Sequence, residues 1–431
     1  GARPGGIDMH ELIFLDPGHF HAALTLRASN PAVADAIKVF ARPGPELDAF
    51  LSLVEAFNTR ERDATRWQVQ VHHDEDPLRA LLDRCTGGNV IIAGRNDLKL
   101  ERIAALHDAG FAVFADKPWL VSPAALPLLE RATSGPPLAM DIMTNRVDRF
   151  ARLRQQVVAD AELFGEFVDD GEPAIDMQTL HHLYKRVNGR PLTRPPWYFD
   201  VRVQGDGLTD IQSHLVDQVQ WLTGHLRSAE ADIGLRLLTA QRWPTPVPLE
   251  LFRDCTGHAR FADELASAID PHGVLQLQCN GIIEYRANGV RVRQRAEWLQ
   301  KEPEGSGDQH QARIRGTRCE VLSSLGPQTG FKPTLLVRAA PGAALDAALE
   351  RAVQRWQDDH PGVAARACGP GEWRIELPAG LEGGHESHFP IVLDEFLRRA
   401  YGEQCDIEIL ARRIRARYGL LGEAQQAVLT G

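Results

Sequence analysis

Apolar residues come in short unbroken runs along the first third of this chain and in alternation along most of the rest. The runs ELIFLD (11–16), IKVFA (37–41), NVIIA (89–93) and FAVFA (111–115) have the pattern of strands covered on both faces. A further strand is expected at 68–72, and helices at 22–27, 46–58, 77–85 and 98–109, the last stopped by Gly110. Strands about 25–30 residues apart with helices between them predict an α/β, doubly wound parallel sheet. Past Pro137 the character changes. A strand (138–143) and a helix (147–160) lead into alternating segments at 174–184, 274–287, 290–299, 311–322 and 334–338, each the pattern of a strand with one wet face. Asn288-Gly289 between two of them is a hairpin signal. Residues 341–360 and 385–418 read as helices. The expectation is therefore an α/β domain over 9–137 and an α+β domain over 138–431 with a large, mostly antiparallel open sheet.

Composition narrows the partners. The 431 residues are 43% hydrophobic and 25% charged, as in an ordinary globular protein. A net charge of -10 argues against nucleic acid or an anionic membrane, and no apolar run approaches the ~20 residues that span a bilayer. The six cysteines (Cys85, Cys255, Cys279, Cys319, Cys368, Cys405) are dispersed, with no C-x-x-C pair, and read as reduced thiols of a cytoplasmic protein. The opening GARPGGID has no signal-peptide pattern, and Met9 is a natural start. An open-faced sheet commonly pairs with a twin, so a homodimer or homotetramer is expected.

Candidate chemistry begins where the 111–115 run ends, in Asp116-Lys117-Pro118. Pro118 cannot donate to a sheet ladder, so the strand stops and Lys117 stands at its carboxyl end, the edge where open α/β sheets bind ligands. Of the 48 basic side chains only six are lysines (38, 99, 117, 185, 301 and 332), which singles out Lys117 from surface decoration. The first strand runs into Pro17-Gly18-His19-Phe20-His21, the layout of a nucleotide-binding turn. Against G-x-G-x-x-G only Gly18 is kept; Asp16 and His21 replace the flanking glycines. A carboxylate at Asp16 repels a pyrophosphate unless it is paired or turned away. Arg42, after the second strand, suits a 2′-phosphate where an acid would suit a ribose, the competing role being a surface arginine. Gly94, Arg95 and Asn96 end the fourth strand and complete the candidate cofactor edge with Asp16, Gly18, His19, Phe20, Arg42, Asp116 and Lys117.

The second stretch is QGDGLTDIQSHLVDQVQWL, 204–222. Ile211, Leu215, Val219 and Leu222 form one apolar stripe, whereas Asp210, His214 and Asp217 at i, i+4 and i+7 share the other face. A carboxylate one turn before an imidazole holds its tautomer and raises its basicity, as a general base requires; the plain alternative is an acid–histidine pair on a solvated helix.

With ADKPW and DIQSH in this order, the chain resembles the glucose–fructose oxidoreductase / inositol dehydrogenase (Gfo/Idh/MocA) family. That family carries E-K-P at a strand end of an N-terminal Rossmann domain and D-x-x-x-H at the start of a helix of its C-terminal sheet domain. The tail, with GSGDQH and GHESHF, resembles a subgroup described only as oxidoreductases. The resemblance covers essentially the whole chain. It implies that Lys117 and His214 carry catalysis with Asp210 orienting His214, that NAD or NADP is the cofactor, and that a sugar-like small molecule is the substrate. His181, His182, Lys185, Tyr198, Asp308 and His310 are candidates for the sugar subsite. Core packing competes for Trp197, Tyr198 and one histidine of the 181–182 pair, and a lid or a plain surface loop for Asp308 and His310. His385 and His388 read as a helix N-terminus in preference to a metal pair, so no metal ligand is assigned. The competing readings are a net non-redox lyase or glycoside-cleaving enzyme, using bound NAD or a histidine-held metal, and a non-catalytic sugar- or cofactor-binding protein.

Overall fold

The computed structural model describes residues 9–187, 189–226, 234–381, 383–402 and 406–430. Contacts divide the chain into two compact units. The sequence expectation places the division near Pro137 with everything later in one domain. By contact, the first unit runs to Val147, apart from 121–123, and also takes Gly384–Arg415, while the second holds Asp148–Gly383 and Ala416–Gly431.

In the first unit the chain order is β1 (His10–Leu15), α1 (Phe20–Leu24), β2 (Val33–Ala41), α2 (Pro45–Thr59), β3 (Gln68–His73), α3 (Pro77–Arg84), β4 (Asn89–Ile92), α4 (Lys99–Asp108), β5 (Ala112–Asp116), α5 (Leu126–Thr133) and β6 (Ala139–Ile142). The six strands form one sheet in the order β3-β2-β1-β4-β5-β6, with every pairing parallel. This is the doubly wound sheet that the unbroken runs predict. β4 and β5 are buried at every residue because helices cover both faces. Apolar chains from one face of β1, β2, β4 and β5 pack into a common core, closed by Phe389, Val392, Leu393, Phe396 and Leu397. Helix α1 is shorter than the predicted 22–27.

In the second unit α6 (Arg149–Ala159) precedes β7 (Ile175–Tyr184), a small ribbon of β8 (Arg186–Val187) and β9 (Arg190–Pro191), α7 (Val201–Gln204) and α8 (Gln212–Leu222). There follow β10 (Leu235–Val247), α9 (Leu249–Thr256), β11 (Leu275–Ala287), β12 (Val290–Lys301), β13 (Gln309–Arg315), β14 (Cys319–Leu325), β15 (Thr334–Ala339), α10 (Asp346–Trp356), β16 (Ala364–Gly369) and β17 (Glu372–Glu376). Nine strands form one sheet in the order β10-β11-β12-β7-β13-β14-β15-β17-β16. Only β12 and β7 run parallel; the other pairings are antiparallel. Asn288 (φ 49°) and Gly289 (φ 85°) make the predicted hairpin turn between β11 and β12.

Three predicted elements are redrawn. The single strand expected at 311–322 is the hairpin β13–β14, because Gly316 turns the chain: its N–H donates to Cys319 O at 2.8 Å, and a Cβ there would lie 2.4 Å from Phe164 O. The expected helix 341–360 is confined to α10. The helix expected over 385–418 is a 3-10 turn at His385–Ser387, then α11 (His388–Tyr401) and α12 (Ile407–Thr430). β10 escapes the sequence reading because Pro244 and Pro246 sit inside it, tolerated on an edge strand.

The approach to α8 rests on a backbone contact. Gly207 N–H donates to Gln278 O at 2.9 Å, and a Cβ on Gly207 would lie 2.1 Å from Asn280 C. A Cβ on Gly281 would meet Gly207 O at 2.3 Å. A buried polar chain then ties the helix start to the sheet. Tyr285 OH donates to Gln294 Oε1 (2.6 Å), Gln294 Nε2 to Gln212 Oε1 (2.7 Å), and Gln212 Nε2 to Gly281 O (2.9 Å). Gly207→Ala is expected to destabilise the protein by about 3 kcal/mol or more, at the top of the usual overpacking range, read as a lower denaturation midpoint. An unchanged midpoint contradicts this packing.

Candidate functional site

The first unit gathers its polar residues at the carboxyl edge of the parallel sheet. Asp16 ends β1 with φ 47°, the left-handed conformation that a glycine would take at no cost and that Asp tolerates better than most residues. Its carboxylate is paired with Arg102 at 3.4 Å and lies 4.0 Å from Arg42. Gly18 and His19 N–H both donate to Ala93 O, at 2.9 and 3.1 Å. The turn is thus fastened to the end of β4, where Gly94 has no room for a side chain: its Cβ would lie 2.9 Å from Gly18 N. Arg42 and Arg95 stand half-exposed after β2 and β4, and Phe20 is exposed.

Asp116 closes β5. Its Oδ1 accepts Lys117 N–H at 2.9 Å, its Oδ2 faces His21 Nδ1 at 3.1 Å and His19 Nδ1 at 3.8 Å, and its backbone oxygen accepts Lys99 Nζ at 2.9 Å. Lys99 is itself fully buried and also donates to Asn96 Oδ1. Burial pushes the Asp116 carboxyl up, but His21, Lys99 and His19 more than offset it and hold the group far below the usual carboxylate range. Burial, with the His21 imidazole beside it, pushes His19 well below its ordinary value. The sequence reading places Asp116, Lys117 and the turn on one edge; that His19 and His21 meet Asp116, 95 residues on from His21, it does not anticipate.

In the second unit Asp210 lies two residues before α8 and is buried, with Gln204 Nε2 at 3.3 Å from its Oδ2. The helix begins at Gln212, and ahead of it Asp206 O accepts the N–H groups of Thr209 and Asp210. His214 is half-buried in the first turn. Asp217 does not share a solvated face: it is buried against Arg417, Nη1 to Oδ1 at 3.1 Å, and Arg417 also donates to Gln220 Oε1 at 2.7 Å.

A narrow pocket is lined by Tyr198, Gln204, Asp206, Asp210, Cys279 and Trp298. Burial raises the Tyr198 hydroxyl and pushes the Cys279 thiol up to about 12, so both stay protonated. Arg194, absent from the sequence candidates, lies over the Tyr198 ring at 4.3 Å and donates to Leu183 O (2.6 Å) and His182 O (3.0 Å). Trp298 stacks on His181 at 4.9 Å. His181 Nδ1 and Lys185 Nζ each lie 3.4 Å from Asp308 Oδ2, and the exposed ring of His310, in β13, is 5.6 Å from His181. His182 is the core-facing member of its pair. Asp308 therefore belongs to a side-chain cluster. Two buried atoms of that cluster, His181 Nε2 and Asp308 Oδ1, have no hydrogen-bond partner among the described residues.

A family model described as "Putative oxidoreductase C terminal domain" matches residues 153–406. A crystal structure described as a putative oxidoreductase from Parabacteroides merdae is 33% identical over 98% of both chains, with a TM-score of 0.90. The chain belongs to the Gfo/Idh/MocA oxidoreductases. Within that fold, a levoglucosan dehydrogenase solved with NADH and L-sorbose is 17% identical over 96% of this chain and 98% of its own, TM-score 0.57. The WlbA dehydrogenase from Bordetella pertussis, solved with NADH and UDP-GlcNAcA, is 14% identical over 99% and 98%, TM-score 0.57. At such identities these two share the fold alone. No curated protein matches the sequence. Among the described residues no helix of this Gfo/Idh/MocA oxidoreductase is long and apolar enough to cross a membrane.

The buried pair under α8 gives a direct check. Arg417→Ala removes a guanidinium from the buried Asp217 carboxylate, and a loss of about 3–5 kcal/mol in denaturant unfolding is expected. A double variant with apolar residues at 217 and 417 is expected to recover part of it.

Proposed function

We propose that this oxidoreductase moves a hydride between NAD or NADP and a secondary alcohol of a sugar, glycoside or cyclitol. The observation that carries the reading is Lys117, placed directly after the buried Asp116 at the carboxyl edge of a β3-β2-β1-β4-β5-β6 parallel sheet, where such folds bind their ligands. A dinucleotide fits this edge in two respects. The turn after β1 packs against the end of β4 at Gly18 and Gly94, closer than side chains allow, and Arg42 and Arg95 offer cations to phosphate oxygens. In one respect the edge departs from the usual pattern: two turn amides are committed to Ala93 O, so phosphate contact falls to side chains. Asp16 is neutralised by Arg102, which removes the repulsion a bare carboxylate would exert.

The bound nicotinamide supplies the hydride acceptor. His214 takes the hydroxyl proton on its imidazole, oriented by Asp210, and Lys117 holds the developing alkoxide as a preorganised positive charge. Tyr198 and Trp298 are rings of the kind on which a pyranose stacks its C–H faces, and the narrow pocket between them must widen to admit one. His181 Nε2 and Asp308 Oδ1, buried and without partners among the described residues, are polar atoms to which sugar hydroxyls can donate. The sugar-bound complexes of the levoglucosan and WlbA dehydrogenases support that substrate class.

Native mass spectrometry is expected to show a co-purifying dinucleotide, and mixing with sugars to raise absorbance in the reduced-nicotinamide band. Lys117→Ala and His214→Ala are each expected to lower kcat/KM on the order of a hundredfold or more while leaving dinucleotide affinity largely intact. No absorbance change across a broad panel of sugars and polyols, with ligand binding normal in both variants, overturns the reading in favour of a binding protein.

A further inference from the structure

The turn after β1 and the end of β5 bring together a donor set to which the proposed proton and hydride steps give no role, although His19 and Asp116 lie on the candidate cofactor edge. His19, His21 and Asp116 each offer one ligand atom, and these atoms lie within 4.8 Å of one another. Around an ion with bonds of about 2.0–2.2 Å, neighbouring ligand atoms sit about 3.0–3.5 Å apart. The separation of His21 Nδ1 from Asp116 Oδ2, 3.1 Å, falls in that range; His19 Nδ1, at 3.8 Å from the same oxygen and within 4.8 Å of the other donors, must move in to share an ion.

The donors are also held. Asp116 Oδ1 is engaged by Lys117 N–H, which turns Oδ2 towards the two imidazoles. The backbone of Gly18 and His19 is anchored on Ala93 O. The His21 ring rests on Phe389 at 4.6 Å, and a third imidazole, His385, lies 6.2 Å from it. The ligand side chains are 27%, 16% and 8% exposed, so the site is shielded yet reachable.

The geometry points to a divalent transition-metal site formed by His19, His21 and Asp116, with positions left open to water or substrate beside Lys117. Two imidazoles and one carboxylate favour ions of the iron-to-zinc group over magnesium or calcium, which prefer all-oxygen sets. The ion takes the place of the bond from His21 N–H to His19 Nδ1, 3.2 Å long, and of the His21–Asp116 hydrogen bond. Lys99, bound to the Asp116 backbone oxygen, adds a positive charge that an ion at the carboxylate must also face.

The test uses the full-length protein, stripped with chelator and free of nicotinamide and sugar, so that it reads the metal site independently of the dehydrogenase reading. Zn²⁺ is titrated by calorimetry, and Co²⁺ by its visible absorption. About one equivalent per chain is expected, with His21→Ala and Asp116→Asn each weakening binding on the order of a hundredfold and His73→Ala leaving it unchanged. The parent's Co²⁺ spectrum needs no variant, so poor folding of Asp116→Asn does not remove the test. No saturable Co²⁺ band in the parent, or equal affinity in parent and His21→Ala, overturns the proposal.

Discussion

The Asp116 carboxylate is the constraint on which the first unit's edge depends. A buried anion must be paired, and this one is surrounded by the Lys117 N–H, the His21 imidazole and the neighbouring charge of Lys99. Those bonds join the end of β5 to the turn after β1, while Lys99, bound to Asp116 O and Asn96, brings in the start of α4. Three separate connections of the sheet are thereby held in one arrangement, and Lys117 leaves the strand in a direction set by its neighbour.

The second unit meets the corresponding requirement with close backbone contact and buried amides. Gly207 lies on the Asn280–Gly281 backbone, and Gln212, Gln294 and Tyr285 satisfy one another inside the core. The start of α8, which carries His214, is therefore fixed by packing and by buried hydrogen bonds. Aromatic rings then line the approach: Tyr198 under Arg194, and Trp298 against His181.

The altered turn after β1 reconciles the oxidoreductase fold with a sequence that has lost most of its glycine fingerprint. Asp16 adopts the left-handed backbone that a glycine would have supplied, and Arg102 removes the electrostatic objection to its charge. The third glycine position became His21, whose ring turns to Asp116 and Phe389. One of the two replacements, His21, thereby supplies a ring that meets the buried carboxylate at the end of β5.

Much of this was legible along the chain. Strands buried on both faces write unbroken apolar runs, so β1, β2, β4 and β5 stood out, and proline after Lys117 marked the strand's end. Asn288-Gly289 named its hairpin because few residues adopt that turn. β10, with prolines at an edge, and the Gly316 turn, across which alternation continues, left no comparable mark. By itself the sequence determined the period of each segment and the chemical kind of its side chains. Only the tertiary structure decided that Asp217 faces Arg417, 200 residues away, and that His21 reaches Asp116. Such pairings depend on strand order and register, and every local pattern is compatible with many of those.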